Sequence, residues 1–246
     1  MRVVFSVVSH NQDQYITKLI KSLEEFLEPS DYDVTIIVTH NTASFVPAVS
    51  SCFNVLNRFN LNRRGFGTNH NLAFEMTNPE IFVILNPDVE LEHPFSLSDL
   101  AFAVSEKFVI ASPVILDSDG NVEDYIRADL SLFNLLRRYT IERLFKYQER
   151  KFDWFAGVFL AFSNETYLKL RGFDERFFMY VEDCDICWRC KQQGGQLVSL
   201  EGRVVHLGQR SSRKKIKPLF WHLKSLSWYF VKKRMSKFKG RLNAYR

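Results

Sequence analysis

Apolar runs alternate along the first part of the chain with segments whose apolar residues recur at helical spacing. Val3–Val8 reads as a buried parallel strand, ended by the polar Ser9-His10-Asn11. Gln14–Leu27 carries Ile16, Leu19, Ile20, Leu23, Phe26 and Leu27 on a helix period, Pro29 closes it, and Val34–Val38 is a second buried strand. A weaker strand is expected at Phe53–Leu56, a clean one at Ile81–Leu85, and a pair at Val109–Leu116 and Val122–Ile126 around the turn signal Asp117–Asn121. Leu132–Tyr147 reads as an amphipathic helix and Phe152–Phe162 as an aromatic strand broken by Gly157. A short helix capped by Ser163 or Asn164 ends at Gly172, and a helix beginning in Phe177–Arg189 stops at Gly194-Gly195. Gln196–Leu200 and Val204–His206 are strand-like. The strand, helix, strand opening predicts an α/β fold, whose ligands lie at the carboxyl ends of the strands. Ser9–Asn11 and Thr39–Asn41 are two such ends.

Length and composition fit one domain: 246 residues, 46% hydrophobic, with 23 Phe. Charge sets the C-terminal end of the chain apart. Fourteen of the 33 Lys and Arg fall after Glu201, where there is no Asp or Glu, so residues 1–202 carry 19 basic against 28 acidic residues. The expected division is therefore a body, 1–212, and a basic aromatic tail, 213–246. Ile216, Leu219, Phe220, Leu223, Leu226, Trp228, Tyr229, Phe230 and Val231 give the tail a broad apolar face between Lys/Arg clusters. That composition suits a helix on an anionic membrane surface. A helix packed on the body with a solvated basic face is the alternative; nucleic acid is not expected, because a polyanion needs no such aromatic content.

The apolar run Val3–Val8 is too short for a leader's core or a membrane span. The four cysteines, Cys52, Cys184, Cys187 and Cys190, form no secreted disulfide pattern. The last three read C-x-x-C-x-x-C, but the nearest fourth ligand is distant and the spacing is that of one helix face, so reduced helix cysteines are expected.

Three segments carry candidate chemistry. Asn62–Asn71, with Arg63, Arg64, Gly65 and Gly67 before a helix, lets backbone N–H groups and a guanidinium approach a diphosphate, or is a tight turn. Asn86-Pro87-Asp88 comes directly after the strand Ile81–Leu85 and either presents an acid to a divalent cation or simply turns the chain. Glu182, Asp183 and Asp185 come after the aromatic run of Phe177–Val181; they form either a shielded base or an acidic first helical turn.

The ordered set VVSHN, HNTAS, RGFGTNHN, ILNPD, WFAGVFLAFS, LRGFDERFFMYVEDCDICWR and VVHLGQRSS resembles inverting family-two glycosyltransferases of GT-A fold. It is most similar to the bacterial rhamnosyltransferases of O-antigen and related glycans, over about residues 3–235, including the tail WHLKSLSWYFVKKR. The resemblance implies a Rossmann-like nucleotide-binding sheet with an acceptor-binding half and a C-terminal amphipathic basic helix. It places Ser9, Asn11 and Asn41 in the nucleotide pocket, and Arg64, Gly65, Phe66 and Asn71 in the loop supporting the donor. Asn86, Asp88 and Arg210 would serve the diphosphate, with Mg2+ or Mn2+ on Asp88 and His206. Asp183 would be the general base, assisted by Glu182, while Trp154, Gly157 and Phe178 shape the sugar and acceptor cleft.

The implied donor is dTDP-L-rhamnose, with UDP-galactofuranose or a UDP-N-acetylhexosamine as alternatives. The implied acceptor is a polyprenyl-diphosphate-linked saccharide at the inner face of the bacterial cytoplasmic membrane. Two positions depart from the family pattern: His40 stands where many members have Asp, and the acidic pair of the usual metal motif is reduced to Asn86-Pro87-Asp88. A nucleotide-sugar or glycan-binding subunit without turnover is the alternative these departures leave open.

Overall fold

Apolar strands with both faces covered form the centre of the protein, seen here in a computed structural model that describes residues 1–28, 31–42, 45–106, 108–130, 152–208 and 216–244. The strands are β1 (Arg2–Ser9), β2 (Asp33–His40), β3 (Asn54–Phe59), β4 (Ile81–Leu85), β5 (Val89–Glu90), β6 (Val109–Leu116), β7 (Ile126–Arg127), β8 (Trp154–Phe155), β9 (Phe159–Ser163) and β10 (Gln196–His206). The helices are α1 (Asp13–Phe26), α2 (Phe66–Thr77), α3 (Leu97–Ser105), α4 (Asn164–Leu170), α5 (Glu182–Gln192) and α6 (Ile216–Ala244).

Eight strands form one sheet in the order β3-β2-β1-β4-β9-β6-β10-β5. β3, β2, β1 and β4 run parallel, and β9 is antiparallel to both β4 and β6. All of β4 and nearly all of β1 is buried, as expected for parallel strands covered on both faces. α1 lays Ile16, Leu19, Ile20 and Leu23 against the sheet at the spacing seen in the sequence.

The structure differs from the sequence expectation in several places. Phe152–Phe162 is not one strand: β8 pairs with β7 in a separate two-stranded sheet, while β9 enters the main sheet, and the chain changes sheets at Ala156–Val158. The stretch Val122–Ile126 keeps only an isolated bridge at Val122 and the first residue of β7. Gln196–Leu200 and Val204–His206 are one strand, whose register against β6 shifts between Ser199 and Arg203. α3 was not expected, although Ser96 caps it by accepting from Asp99 N–H at 3.1 Å and its Leu97, Leu100, Ala101 and Val104 are buried. The expected helix Leu132–Tyr147 and Pro29 lie outside the described residues.

Cys184, Cys187 and Cys190 are free, buried on α5, with their thiols pushed up by burial. A site that keeps its thiols protonated disfavours the thiolates a metal would require. Among the described residues, no helix is long and apolar enough to cross a membrane.

Candidate active site

The ends of β1 and β2 are built by buried polar side chains that hold backbone. Ser9 is fully buried, and its Oγ accepts from the Gln12 N–H at 3.1 Å, turning the chain into α1. Asn11, at the exposed tip of that turn, has φ 61°, a conformation Asn tolerates better than most residues. Asn41 is fully buried: its Nδ2 donates to Arg64 O at 2.8 Å, and its Oδ1 accepts from Arg64 N–H at 2.9 Å and from Asn60 Nδ2 at 2.8 Å. It thus clamps the backbone of Arg64 from both sides while the Arg64 side chain stays exposed. His40, in place of a family carboxylate, pairs with Asn57 Oδ1 at 2.9 Å and stacks on Phe45 at 4.2 Å.

Gly65 is required by proximity. A Cβ there would lie 2.9 Å from Phe178 O, the same oxygen that accepts from Phe66 N–H at 3.0 Å. The glycine loop is therefore fastened to the segment that precedes Glu182. Asn71 makes a second fastening: its Oδ1 accepts from Tyr167 Oη at 2.8 Å and Phe173 N–H at 2.9 Å, and its Nδ2 donates to Phe173 O at 3.0 Å and Glu175 at 3.1 Å. With both ends of its amide engaged there, Asn71 braces the 173–175 loop against the glycine segment.

Asp88 and His206 meet because β5 and β10 pair antiparallel, with His206 opposite Val89, and because Leu207 N–H donates to Asp88 O at 2.8 Å. Asp88 Oδ1 stands 3.4 Å from His206 Nε2, while His206 Nδ1 lies 2.7 Å from Glu123 Oε2. Burial opposes the charge on His206, but hydrogen bonds to Asp88 and Glu123 outweigh it and push the imidazole up to about 9. A carboxylate holding Nδ1 and leaving Nε2 toward a second carboxylate is the outer-shell arrangement of metal-binding histidines. Among the described residues, no group of three or more His, Cys, Asp or Glu is arranged to hold a metal. One carboxylate and one imidazole fit Mg2+ or Mn2+ only with diphosphate oxygens completing the shell.

The acidic pair stands on backbone in an unfavourable conformation. Tyr180 and Val181 both have left-handed φ, 71° and 72°, ahead of α5. Such residues cost on the order of 1–3 kcal/mol each, and a β-branched Val is among the least suited. The outcome is that Glu182 and Asp183 begin the helix, with Asp183 against Gly157. Asp183 Oδ2 accepts from Gly157 N–H at 2.9 Å and Oδ1 from Cys184 N–H at 2.8 Å. A Cβ on residue 157 would come 3.3 Å from Asp183 Cβ.

Burial raises the pKa of Asp183, partly offset by the charge of Arg127 and by these N–H groups. Glu182 is 6% exposed, its Oε2 lacks a partner, and burial followed by the Asp183 charge raises it well above the ordinary range. Asp185, fully buried, pairs with Arg189 at 2.8 Å and Lys232 at 2.6 Å. It ties α5 to its own last turns and to α6.

The two acidic regions converge on one turn. Asn86 N–H donates to Val158 O at 2.9 Å, so Asn86-Pro87-Asp88 sits against Gly157-Val158 from one side while Asp183 holds Gly157 from the other. Trp154 is buried, its Nε1 donates to Ala128 O at 2.9 Å, and Arg127 lies over its ring. Phe178 packs its ring on Trp221 at 4.9 Å and offers only backbone to Gly65. Arg210 lies outside the described residues. Glu123 and Arg127 went unnoticed in the sequence; neither stands in a motif, and Glu123 is 83 residues from its His206 partner.

The sequence profile described as "Glycosyl transferase family 2" matches residues 5–168, and the chain belongs to that family; it is a glycosyltransferase. It is 26% identical to Rhamnosyltransferase WbbL of Escherichia coli (strain K12) across 95% of this chain and 94% of that protein. It is 30% identical to the N-acetylglucosaminyl-diphospho-decaprenol L-rhamnosyltransferase of Mycobacterium tuberculosis, over 58% of this chain and 52% of that longer protein. The fold resembles GalNAc-T7 solved with UDP, GalNAc and Mn2+, with TM-score 0.68, 16% identity and coverage of 92% of this chain and 47% of that one. It also resembles mannosyltransferase PcManGT of Pyrobaculum calidifontis with GDP-Man and Mn2+, with TM-score 0.55, 17% identity and coverage of 86% and 58%. These likenesses establish the GT-A type of fold. The profile ends before Asp183, so the acidic pair rests on the geometry above.

A raised carboxyl has a consequence for stability. Because the folded protein holds the Glu182 proton more tightly than the unfolded chain, that contribution is full below the ordinary carboxylate range and is lost as pH rises through the raised value. Glu182→Gln should therefore resist urea better than the parent at neutral pH, by about 1 kcal/mol or more, with the gap closing near about pH 4. A parent as stable as the variant at neutral pH would contradict the raised proton affinity of Glu182.

Proposed function

We propose that the protein transfers L-rhamnose from dTDP-L-rhamnose, with inversion, to a polyprenyl-diphosphate-linked saccharide in O-antigen or other surface-polysaccharide synthesis. The observation that carries the reaction type is the Gly157-Val158 turn, which brings Asp183 to one side and Asn86-Pro87-Asp88 to the other. The names of the relatives support the sugar and the lipid-linked acceptor.

In this reading Asp183 accepts the proton of the acceptor hydroxyl as that oxygen bonds to the anomeric carbon and the bond to the nucleoside diphosphate breaks. Its raised proton affinity suits the task, since a base must hold the proton it takes, and such catalysis contributes on the order of 10²–10⁴ in rate. Gly157 N–H fixes the carboxylate, and Glu182, kept from water beside it, positions the base or the acceptor. Arg64, its backbone held by Asn41, extends its guanidinium toward the departing diphosphate. Asp88 and His206 would hold Mg2+ or Mn2+, which when bound neutralises charge on the leaving group.

The acceptor's lipid carrier would place the protein on the inner face of the cytoplasmic membrane. α6 turns Leu219, Phe220, Leu223, Val231 and Met235 outward, with Lys224 and Arg234 exposed among them. An apolar row flanked by cations suits an anionic lipid surface.

Asp183→Asn should abolish transfer while dTDP binding stays near that of the parent; near-normal turnover would sink the base assignment. The donor is tested by a panel of dTDP-L-rhamnose, UDP-galactofuranose and UDP-N-acetylhexosamine, each with Mn2+ and with EDTA. Transfer of rhamnose alone, lost in EDTA, is expected. Turnover of a UDP-sugar in its place would overturn the donor, and EDTA-insensitive transfer would remove Asp88 and His206 from a metal role. Leu219→Glu combined with Leu223→Glu should release the protein from vesicles containing phosphatidylglycerol, and unchanged sedimentation with the vesicles would defeat the membrane proposal.

A further inference from the structure

The inner face of α6 touches the segment before the acidic pair residue by residue. Trp221 packs on Phe178 at 4.9 Å and His222 meets Tyr180 edge-on at 5.4 Å. Ser225, 4% exposed, donates from Oγ to Met179 O at 2.9 Å. Lys232 Nζ lies 5.7 Å from the centre of the Phe177 ring, 2.8 Å from Asp174 and 2.6 Å from Asp185. One ammonium group therefore joins the beginning of the loop, at Asp174, to the first turn of α5, at Asp185. Glu182 and Asp183 lie within the loop so closed. Its opposite side is held by Gly65 and Phe66 through Phe178 O.

The left-handed pair Tyr180-Val181 needs such enclosure. Backbone in a sparsely populated conformation persists only where its surroundings over-determine it. Neither residue is Gly, Asn or Asp, α5 has no side-chain cap at Val181, and the flanking residues Phe177–Tyr180 all meet α6.

We infer that Ser225 and Lys232 are positioning residues for transfer: α6 holds the Tyr180-Val181 turn in the conformation that aims Asp183, so the helix is part of the catalytic unit as well as a surface element. The inference rests on the reading of Asp183 as the base. Ser225 acts through the Met179 carbonyl and Lys232 through Asp174 and Asp185; neither touches substrate. Both lie on the face turned to the body, away from the exposed row Leu219, Leu223, Val231 and Met235. Their effect on turnover is therefore separable from membrane binding.

The test uses the full chain with a short-chain polyprenyl-diphosphate-linked saccharide in detergent, so that membrane attachment is not needed for access. The donor is the nucleotide sugar turned over in the panel, beginning with dTDP-L-rhamnose. Ser225→Ala and Lys232→Met should each lower kcat about ten-fold or more, as expected when a reacting group is misplaced by a fraction of an ångström or more. Donor KM, dTDP affinity and sedimentation with phosphatidylglycerol vesicles should stay within about two-fold of the parent. Lys232→Arg, which can still bridge two carboxylates, should recover most of the lost kcat, and thermal unfolding shows that each variant is folded at the assay temperature.

If Ser225→Ala and Lys232→Met keep parental kcat while Asp183→Asn is inactive, the clamp is overturned and the base assignment stands. If Lys232→Arg is no better than Lys232→Met, the positioning role of Lys232 is overturned. If Asp183→Asn remains active, the base assignment fails and the clamp fails with it.

Discussion

The hydrogen bond from Gly157 N–H to Asp183 Oδ2 is the contact on which the site depends. It joins two regions that the sheet would otherwise keep apart, the strand ends at β4 and the N-terminus of α5. Glycine suits the position, since a Cβ at 157 would lie 3.3 Å from Asp183 Cβ and press on the carboxylate's stem. The next residue, Val158, receives the N–H of Asn86, and so the Asn86-Pro87-Asp88 segment and Asp183 meet on a two-residue turn.

Around that turn, polar side chains mostly hold backbone. Asn41 grips Arg64, Asn71 grips Phe173, and Ser9 grips Gln12, each with its own hydrogen-bonding groups spent inside the protein. Buried polar groups of this kind are useful when satisfied and costly when not. By contrast Asp183, Glu182 and His206 have raised proton affinity, and the Arg64 side chain is exposed. The unpartnered Glu182 Oε2 and the left-handed Tyr180-Val181 pair are departures from local stability in the same few residues. Strain and unsatisfied burial concentrated there are what a site held by its surroundings would show.

Most strands were legible in the sequence because they depend on local signals, and so was the placing of the proposed acids at the ends of elements. Val3–Val8 and Ile81–Leu85 are apolar runs, and Asp88 and Asp183 stand where a strand ends and a helix begins. The features that escaped were set by distant partners. Phe152–Phe162 keeps its aromatic character across the point where it changes sheets, and no local pattern says which strands it will join. Trp154 and Asn71 have the chemistry of ligand contacts, but their hydrogen bonds go to Ala128 and to the 173–175 loop. Glu123 acquires its place only when β10 brings His206 to it. α3 is the exception: its Ser96 cap and apolar spacing were readable and simply passed over. The inner face of α6, with Ser225 and Lys232 on the loop before Asp183, became visible only in the folded chain.

The central claim is that donor diphosphate and base occupy opposite sides of the Gly157-Val158 turn. The most direct test is a crystal structure of the protein with dTDP and Mn2+, the ion located by its anomalous scattering. The account predicts the ion within about 2.5 Å of Asp88 and His206. It also predicts the diphosphate against the Gly65 loop, and an open space beside the Asp183 carboxylate wide enough for a hydroxyl at about 3 Å. Diphosphate bound away from Asp88, or Asp183 walled off from the space facing it, would contradict the account.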